Sequence, residues 1–159
     1  EPCEDDYATV YMNRPDVKEA LHVKPDIVWD ECSRTTKYEL ADKMKSVIHI
    51  YKELLDDKEA GIRMLIYSGD DDGVCATSYT QHVVFDVLNY KPSSYWKLWK
   101  VDGQTAGYVS EFDTPWDKES RLAFSTVKFA GHEVPTYKPK EAFVLFNAFI
   151  TNDYKSLVQ

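Results

Sequence analysis

A short apolar run that ends abruptly in polar turn residues limits the folds open to this chain more than any other feature. The run covers residues 62–67, and the chain continues as Ser68-Gly69-Asp70-Asp71-Asp72-Gly73. A run of this length between turn residues is typical of a buried strand in a parallel sheet. A second such run, 122–129, precedes the loop Gly131-His132-Glu133-Val134-Pro135. The pattern therefore predicts two buried strands, each followed by a polar loop.

The segments around these runs read as helices and a hairpin. Spacings of three and four between apolar residues predict a helix at 36–57. Pro15 suits the first turn of a short helix at 14–21, and a further helix is expected at 78–88. Asp102-Gly103 predicts a hairpin between strands 96–101 and 106–112, because the turn needs positive φ and glycine adopts it readily.

Residues 113–120 are polar, and we interpret them as a surface loop. A final helix opens near Pro139 with one apolar stripe, formed by Ala142, Phe143, Phe146, Phe149 and Ile150. Strands alternating with helices predict an α/β sheet with further elements missing before it.

The composition excludes several classes of protein. Hydrophobic residues make up 43% and aromatic residues 14% of the 159 residues, which is too much apolar material for a disordered chain. The net charge of −8, from 27 acidic and 19 basic residues, argues against a nucleic-acid partner. No apolar run approaches the roughly 20 residues that span a bilayer, so we expect no membrane partner.

Asp72 and His132 each follow a predicted buried strand. Side chains beyond the carboxyl ends of parallel strands converge on one crevice. A carboxylate there can fix the tautomer of an imidazole and stabilise its protonated form. The order, acid first and histidine second, is also the order in α/β-hydrolases.

These residue types are also typical of other structures. Three successive aspartates are also typical of a solvated loop or a helix cap. An EF-hand calcium loop fails, because Ser68 and Tyr79 would occupy its first and last ligand positions. The other histidines, His22, His49 and His82, lie in helical stretches and suit surface or packing roles. With no zinc pattern either, we expect no metal and no cofactor.

The three cysteines, Cys3, Cys32 and Cys75, are an odd number. They suit free cytosolic thiols, or thiols whose partners lie on another polypeptide in an oxidising compartment. The chain opens on Glu1 without an initiator Met, so we expect that cleavage or truncation made this end.

Two motifs, in this order and spacing, resemble the acid and histidine motifs of serine carboxypeptidases. The first is Tyr67-Ser68-Gly69-Asp70-Asp71-Asp72 followed by Cys75; the second is Gly131-His132-Glu133-Val134-Pro135 followed by Lys138-Pro139. The resemblance covers essentially the whole chain. It implies the C-terminal half of an α/β-hydrolase fold, with residues 1–60 as a helical lead-in and 61–159 carrying the acid and histidine loops.

The resemblance also implies roles for individual residues. Asp72 would be the triad acid and His132 the general base, acting on a peptide substrate. Glu133 would contact the departing C-terminal residue, and Cys75 would lie at the edge of the substrate pocket. Cys3 and Cys32 would form disulfides with a larger N-terminal chain of the same precursor. Such an enzyme would be lysosomal, vacuolar or secreted, and the resemblance allows a homodimer of two-chain units.

The nucleophile of such an enzyme is absent from this chain. No serine has Gly at both the second position before it and the second after it, as a nucleophile elbow requires. We therefore expect the chain to be inactive alone and to expose apolar sheet surface. Relatives that act as acyltransferases or hydroxynitrile lyases, or a non-catalytic stabilising partner of other hydrolases, are alternative interpretations.

Overall fold

The computed structural model describes residues 4–32 and 35–158, which divide into two compact units, Glu1–Lys45 and Ser46–Gln159. The first unit contains three short helices, α1 (Glu4–Met12), α2 (Pro15–Ala20) and α3 (Leu40–Lys43). The predicted helix at 14–21 is confirmed as α2, with Pro15 in its first turn. Within this unit the Asn13 side chain bonds the backbone of Trp29 in both directions, at 2.8 Å each.

The second unit is a mixed α/β structure. Its helices and strands follow in the order α4 (Ile48–Asp56), β1 (Met64–Gly69), α5 (Thr77–His82) with a π-helical continuation (Val83–Leu88), β2 (Lys91–Val101), β3 (Gln104–Thr114), β4 (Asp117–Val127), α6 (Val134–Tyr137), α7 (Pro139–Thr151) and a final 3₁₀ turn (Tyr154–Val158). The four strands form one sheet in the order β1-β4-β3-β2. The predicted α/β class is therefore confirmed.

Both faces of the sheet carry an apolar core. On one face α7 and the 3₁₀ turn pack over a cluster centred on Trp99, Ala123 and Val127. On the other face α4 and the π-helical segment pack over Phe112, Leu122 and Phe124. Neighbouring residues of β4 enter opposite clusters because successive side chains of a strand point to opposite faces. This coverage explains why the strands lack a polar alternation in the sequence.

The parallel pair that the sequence predicts is formed by β1 and β4. Met64 pairs with Leu122 at one end of the ladder and Gly69 pairs with Val127 at the other. Among the described residues β1 has no other strand beside it, so it forms an edge of the sheet. The two polar loops consequently leave the sheet side by side.

The hairpin at Asp102-Gly103 is confirmed, and both turn residues have positive φ, 50° and 76°. The predicted surface loop at 113–120 is wrong. Thr114 pairs with Asp117, so a second hairpin turns at Pro115 and Trp116. Polar residues can form a strand there because the backbone hydrogen bonds of the neighbouring strand, rather than an apolar pattern, hold them.

A continuous helix at 36–57 is also wrong, since only α3 and α4 form within that range. The Ile48 N–H bonds the Ser46 hydroxyl at 3.4 Å just before α4 begins. Leu40 and Met44 of the predicted stripe are exposed, so the first half of the segment lacks the apolar packing that stabilises helices in proteins.

The outer side of α7 and β1 is apolar and exposed. The helix buries Leu145 and Ala148 against the sheet, whereas Phe143 and Phe146 of the predicted stripe are exposed. A cavity of about 310 Å³ lies between this helix and β1 and is also lined by Tyr67. The second unit therefore presents apolar surface beside its open sheet edge.

Within the part of the chain that the structure describes, no helix combines the length and apolar character needed to cross a membrane.

Candidate active site

The loops after β1 and β4 lie against each other at the edge of the sheet. A Cβ added to Gly69, the last residue of β1, would stand 2.2 Å from the Ala130 carbonyl oxygen and 2.5 Å from that of Gly131. Only glycine permits this approach, since real Cβ contacts are never so short. The close approach brings the segment that carries His132 over the end of β1.

Asp72 and His132 meet in this place although 60 residues separate them. The Nδ1 atom of His132 lies 3.1 Å from Oδ2 of Asp72. The other carboxylate oxygen, Oδ1, accepts the backbone N–H groups of Val74 at 2.7 Å and Cys75 at 2.9 Å. Three donors therefore fix the orientation of one carboxylate.

Exposure differs sharply between the two partners. The Asp72 side chain is 5% exposed, whereas that of His132 is 51% exposed. The carboxylate is therefore enclosed behind the imidazole, and the ring faces solvent. A group arriving from outside would reach the imidazole first.

The pKa of Asp72 is lowered from the ordinary value of 3.8. The largest cause is the hydrogen bond from the Cys75 N–H, and the His132 ring and the Val74 N–H act in the same direction. Burial opposes them, because it penalises the charged form. The carboxylate therefore stays ionised at neutral and mildly acidic pH.

This arrangement suits general base chemistry at the imidazole. An ionised carboxylate on Nδ1 holds the proton on that nitrogen and leaves Nε2 as the basic atom. It also stabilises the ring once Nε2 has taken up a proton. The pair can thus accept a proton from an incoming hydroxyl and return it to a leaving group.

Glu133 and Cys75, the predicted substrate-binding residues, both lie beside the pair. Glu133 follows His132 directly, and its carbonyl accepts the Thr136 N–H at 2.9 Å as α6 begins. Cys75 is exposed and reaches Asp72 through its backbone. Their roles in a substrate pocket stay predictions.

Of the two cysteines predicted to bond a second chain, one lies in the part of the chain that the structure describes. Cys32 is exposed and unpaired among the described residues. Cys3 lies outside the described residues.

Three hydrogen bonds near the pair were not predicted. The Thr77 hydroxyl donates to the Gly69 carbonyl at 2.6 Å and lies 2.8 Å from the Ser68 hydroxyl, which ties the start of α5 to the end of β1. Asp70 accepts the Phe129 N–H at 2.6 Å and so links the two loops. The run of three aspartates indicated that Asp70 lies in a polar turn, but nothing in the sequence indicated that it binds the Phe129 N–H.

Of the remaining histidines, His82 also pairs with a carboxylate. Its Nδ1 lies 2.7 Å from Oδ2 of Asp86, one helical turn further along the chain. Both side chains are mostly exposed, at 58% and 67%. In residues 4–32 and 35–158, no group of three His, Cys, Asp or Glu side chains is placed to hold a metal ion.

Comparison with known proteins agrees with the motifs around the pair. Residues 1–152 match the sequence profile of the family described as serine carboxypeptidase. The chain belongs to the serine carboxypeptidase family.

Curated members of the serine carboxypeptidase family from Arabidopsis thaliana are similar over nearly all of this chain. Serine carboxypeptidase-like 29 is 40% identical over 154 residues, which are 95% of this chain and 30% of that protein. Serine carboxypeptidase-like 26 is 34% identical over 155 residues, 96% of this chain and 32% of that protein. Serine carboxypeptidase 24 is 35% identical over 153 residues, 94% and 30% respectively. The chain thus spans about a third of the length of these relatives.

Proposed function

We propose that this chain is the C-terminal part of a serine carboxypeptidase with an α/β-hydrolase fold, and that it hydrolyses the C-terminal peptide bond of a peptide together with an N-terminal part. A serine of that other part would attack the last peptide carbonyl. His132 would take the serine proton and deliver it to the departing amine, which leaves an acyl-enzyme. Water would then attack the ester, and His132 would return the proton to the serine.

The single observation that carries this proposal is the contact between His132 and the enclosed Asp72. Oδ2 of Asp72 lies 3.1 Å from the imidazole while two backbone N–H groups hold Oδ1. A carboxylate fixed in this way can hold the imidazole in the tautomer that a general base needs. The half-exposed ring is open to a nucleophile from another part of the protein.

Two features support an N-terminal part that completes the site. The sequence has no nucleophile elbow, so the hydroxyl must come from elsewhere. Among the described residues, β1 has one edge without a neighbouring strand, and the exposed rings of Phe143 and Phe146 form an apolar face. Strand edges and apolar patches of this kind are typical of surfaces that another segment covers.

We further propose that Cys3 and Cys32 join the two parts by disulfides. The exposed, unpaired Cys32 supports this pairing. Stable disulfides require an oxidising environment, which suits a secreted, vacuolar or lysosomal enzyme. Glu133 and Cys75 would then line the substrate pocket from this chain's side.

The test uses the full protein that contains this chain, isolated without reductant, and an N-blocked dipeptide as substrate. We expect release of the free C-terminal amino acid, and a loss of about 10⁴-fold or more in kcat for His132→Ala. His82→Ala is the matched control, because it removes an imidazole from an exposed pair; its kcat should stay within about twofold of the parent.

Full peptidase activity in His132→Ala would overturn the proposal. Acyl transfer from a glucose ester without release of amino acids from the dipeptide would also contradict it, and would indicate an acyltransferase on the same scaffold.

A further inference from the structure

The chain after β4 makes a sharp turn at Phe129. The φ of this residue is 59°, a left-handed conformation that residues with a Cβ rarely adopt. The Phe129 N–H donates to Oδ1 of Asp70 at 2.6 Å. Asp70 is the first residue after β1, so a side chain of one loop holds the strained turn of the other.

Backbone contacts run beside this hydrogen bond. The Asp70 N–H donates to the Val127 carbonyl at 3.1 Å, and the Asp71 N–H donates to the Ala130 carbonyl at 3.0 Å. They extend the pairing of β1 and β4 past the ends of the strands. Between these two contacts, the Asp70 carboxylate is the group that binds the residue with positive φ.

The turn at Phe129 decides where His132 is placed. It directs Ala130 into the buried core and brings the Gly131 carbonyl against Gly69. His132 follows immediately and meets Asp72 at 3.1 Å. A different backbone conformation at Phe129 would therefore displace the imidazole from its carboxylate.

We infer that Asp70 is a positioning residue for His132, because its carboxylate stabilises the left-handed turn at Phe129 that sets the reach of the histidine loop. The carboxylate binds the Phe129 N–H, so Asp70 acts on the imidazole through the backbone of 129–132. The kinetic consequence rests on the function proposed above, whereas the structural consequence does not.

The test compares variants of the full protein by kinetics and by amide hydrogen exchange. Asp70→Ala should lower kcat by about 10- to 100-fold with KM within about twofold, since small misplacements of a reacting group carry losses of this size. Asp70→Asn keeps an oxygen acceptor and should stay within about threefold of the parent. Asp71→Ala, which removes a charge from the same loop, is the matched control and should stay within about twofold.

A second substitution separates positioning from a general loss of stability. Glycine adopts positive φ without the steric cost that Phe129 carries. In a Phe129→Gly background, Asp70→Ala should therefore lower kcat by less than about threefold. An undiminished loss in that background, or equal losses for Asp70→Ala and Asp71→Ala, would overturn the inference.

Hydrogen exchange keeps this test independent of the proposed function. The backbone amides of 129–132 should exchange faster in Asp70→Ala than in the parent or in Asp71→Ala. Unchanged exchange would overturn the positioning role. If the parent released no amino acid but the exchange difference were present, the proposed function would fail and the role of Asp70 in the turn would stand.

Discussion

The tips of β1 and β4 carry one carboxylate–imidazole pair, and α5 with its π-helical continuation carries another. The two pairs differ in sequence separation and in exposure. In the second pair, His82 is the last residue of α5 and Asp86 lies one turn further along, with the two side chains closer together, at 2.7 Å. At the strand tips, Asp72 and His132 are 60 residues apart and lie 3.1 Å from each other. The helical pair is mostly exposed on both sides, whereas Asp72 is enclosed.

A short distance between the imidazole and the carboxylate therefore does not distinguish a candidate functional pair from a surface contact. Exposed pairs of this kind contribute little, because water and rotamer freedom compete with the contact. Asp72 differs because the Val74 and Cys75 N–H groups bind its second oxygen and its side chain is only 5% exposed. The orientation of this carboxylate is therefore fixed by the backbone around it.

The largest expected difference between the two pairs is catalytic. In the full protein Asp72→Asn should lower kcat by about 10⁴-fold, since the amide can no longer hold the basic tautomer of His132. Asp86→Asn, the same change in the helical pair, should leave kcat within about twofold. Steady-state kinetics on a blocked dipeptide would check both. A loss below tenfold for Asp72→Asn, or equal losses for the two variants, would contradict a catalytic difference between the pairs.

The next effect concerns the close approach that brings the strand-tip loops together. Gly69→Ala should lower the free energy of unfolding by about 1–3 kcal/mol, because its Cβ would meet the carbonyl oxygens of Ala130 and Gly131. Gly73→Ala, in the same loop, places its Cβ in open space and should change the free energy by less than about 1 kcal/mol. Urea unfolding of the full protein measures both. Equal stability of the two variants would mean that the loops are not held by this approach.

The smallest effect is a pH dependence that belongs to the enclosed carboxylate. The pKa of Asp72 is below its ordinary 3.8, so the unfolded chain takes up this proton more readily than the folded protein. Its contribution to stability is therefore fully present above about pH 5 and is lost as the pH falls through the lowered pKa. The difference in unfolding free energy between the parent and Asp72→Asn should shrink as the pH falls below about pH 4.

Ionic strength sharpens this last prediction. The largest cause of the lowered pKa is a hydrogen bond from the Cys75 N–H, and fixed short-range bonds are screened less by salt than exposed charges are. The pH at which the stability difference between the parent and Asp72→Asn begins to shrink should therefore be the same in 1 M NaCl. A curve that moves back to the ordinary aspartate range in salt would show that charge alone lowers the pKa.

The proximity of the two loops that carry Asp72 and His132 could be predicted because it follows from sheet geometry. Two short apolar runs, each stopped by polar residues, predict strands, and parallel neighbours release their loops at the same edge. The hydrogen bond from Phe129 to Asp70 could not be predicted in this way. A phenylalanine gives no sign of positive φ, since that conformation is imposed by the contacts around it.

The same distinction separates the parts of the fold that could be predicted from those that could not. The turn at Asp102-Gly103 was predictable, because its residues favour positive φ whatever surrounds them. The turn at Pro115 and Trp116 was not, since the strand that follows it is polar and is held by pairing with β3. The prediction of one helix at 36–57 was wrong for a related reason. The apolar stripe is present in the sequence, but Leu40 and Met44 are exposed and gain no packing from it.

The amino-acid sequence indicates the local preferences of this protein: which segments contain the two parallel strands, which turn favours positive φ, and which residue types follow each strand. These follow from the backbone and side-chain chemistry of a few adjacent residues. Burial is a property of the tertiary structure, in which Asp72 is enclosed and Asp86 exposed, because it depends on which distant segments pack together. An aspartate side chain is therefore an oriented, ionised partner of histidine at the strand tips, whereas the same residue type makes a solvated surface contact on the helix.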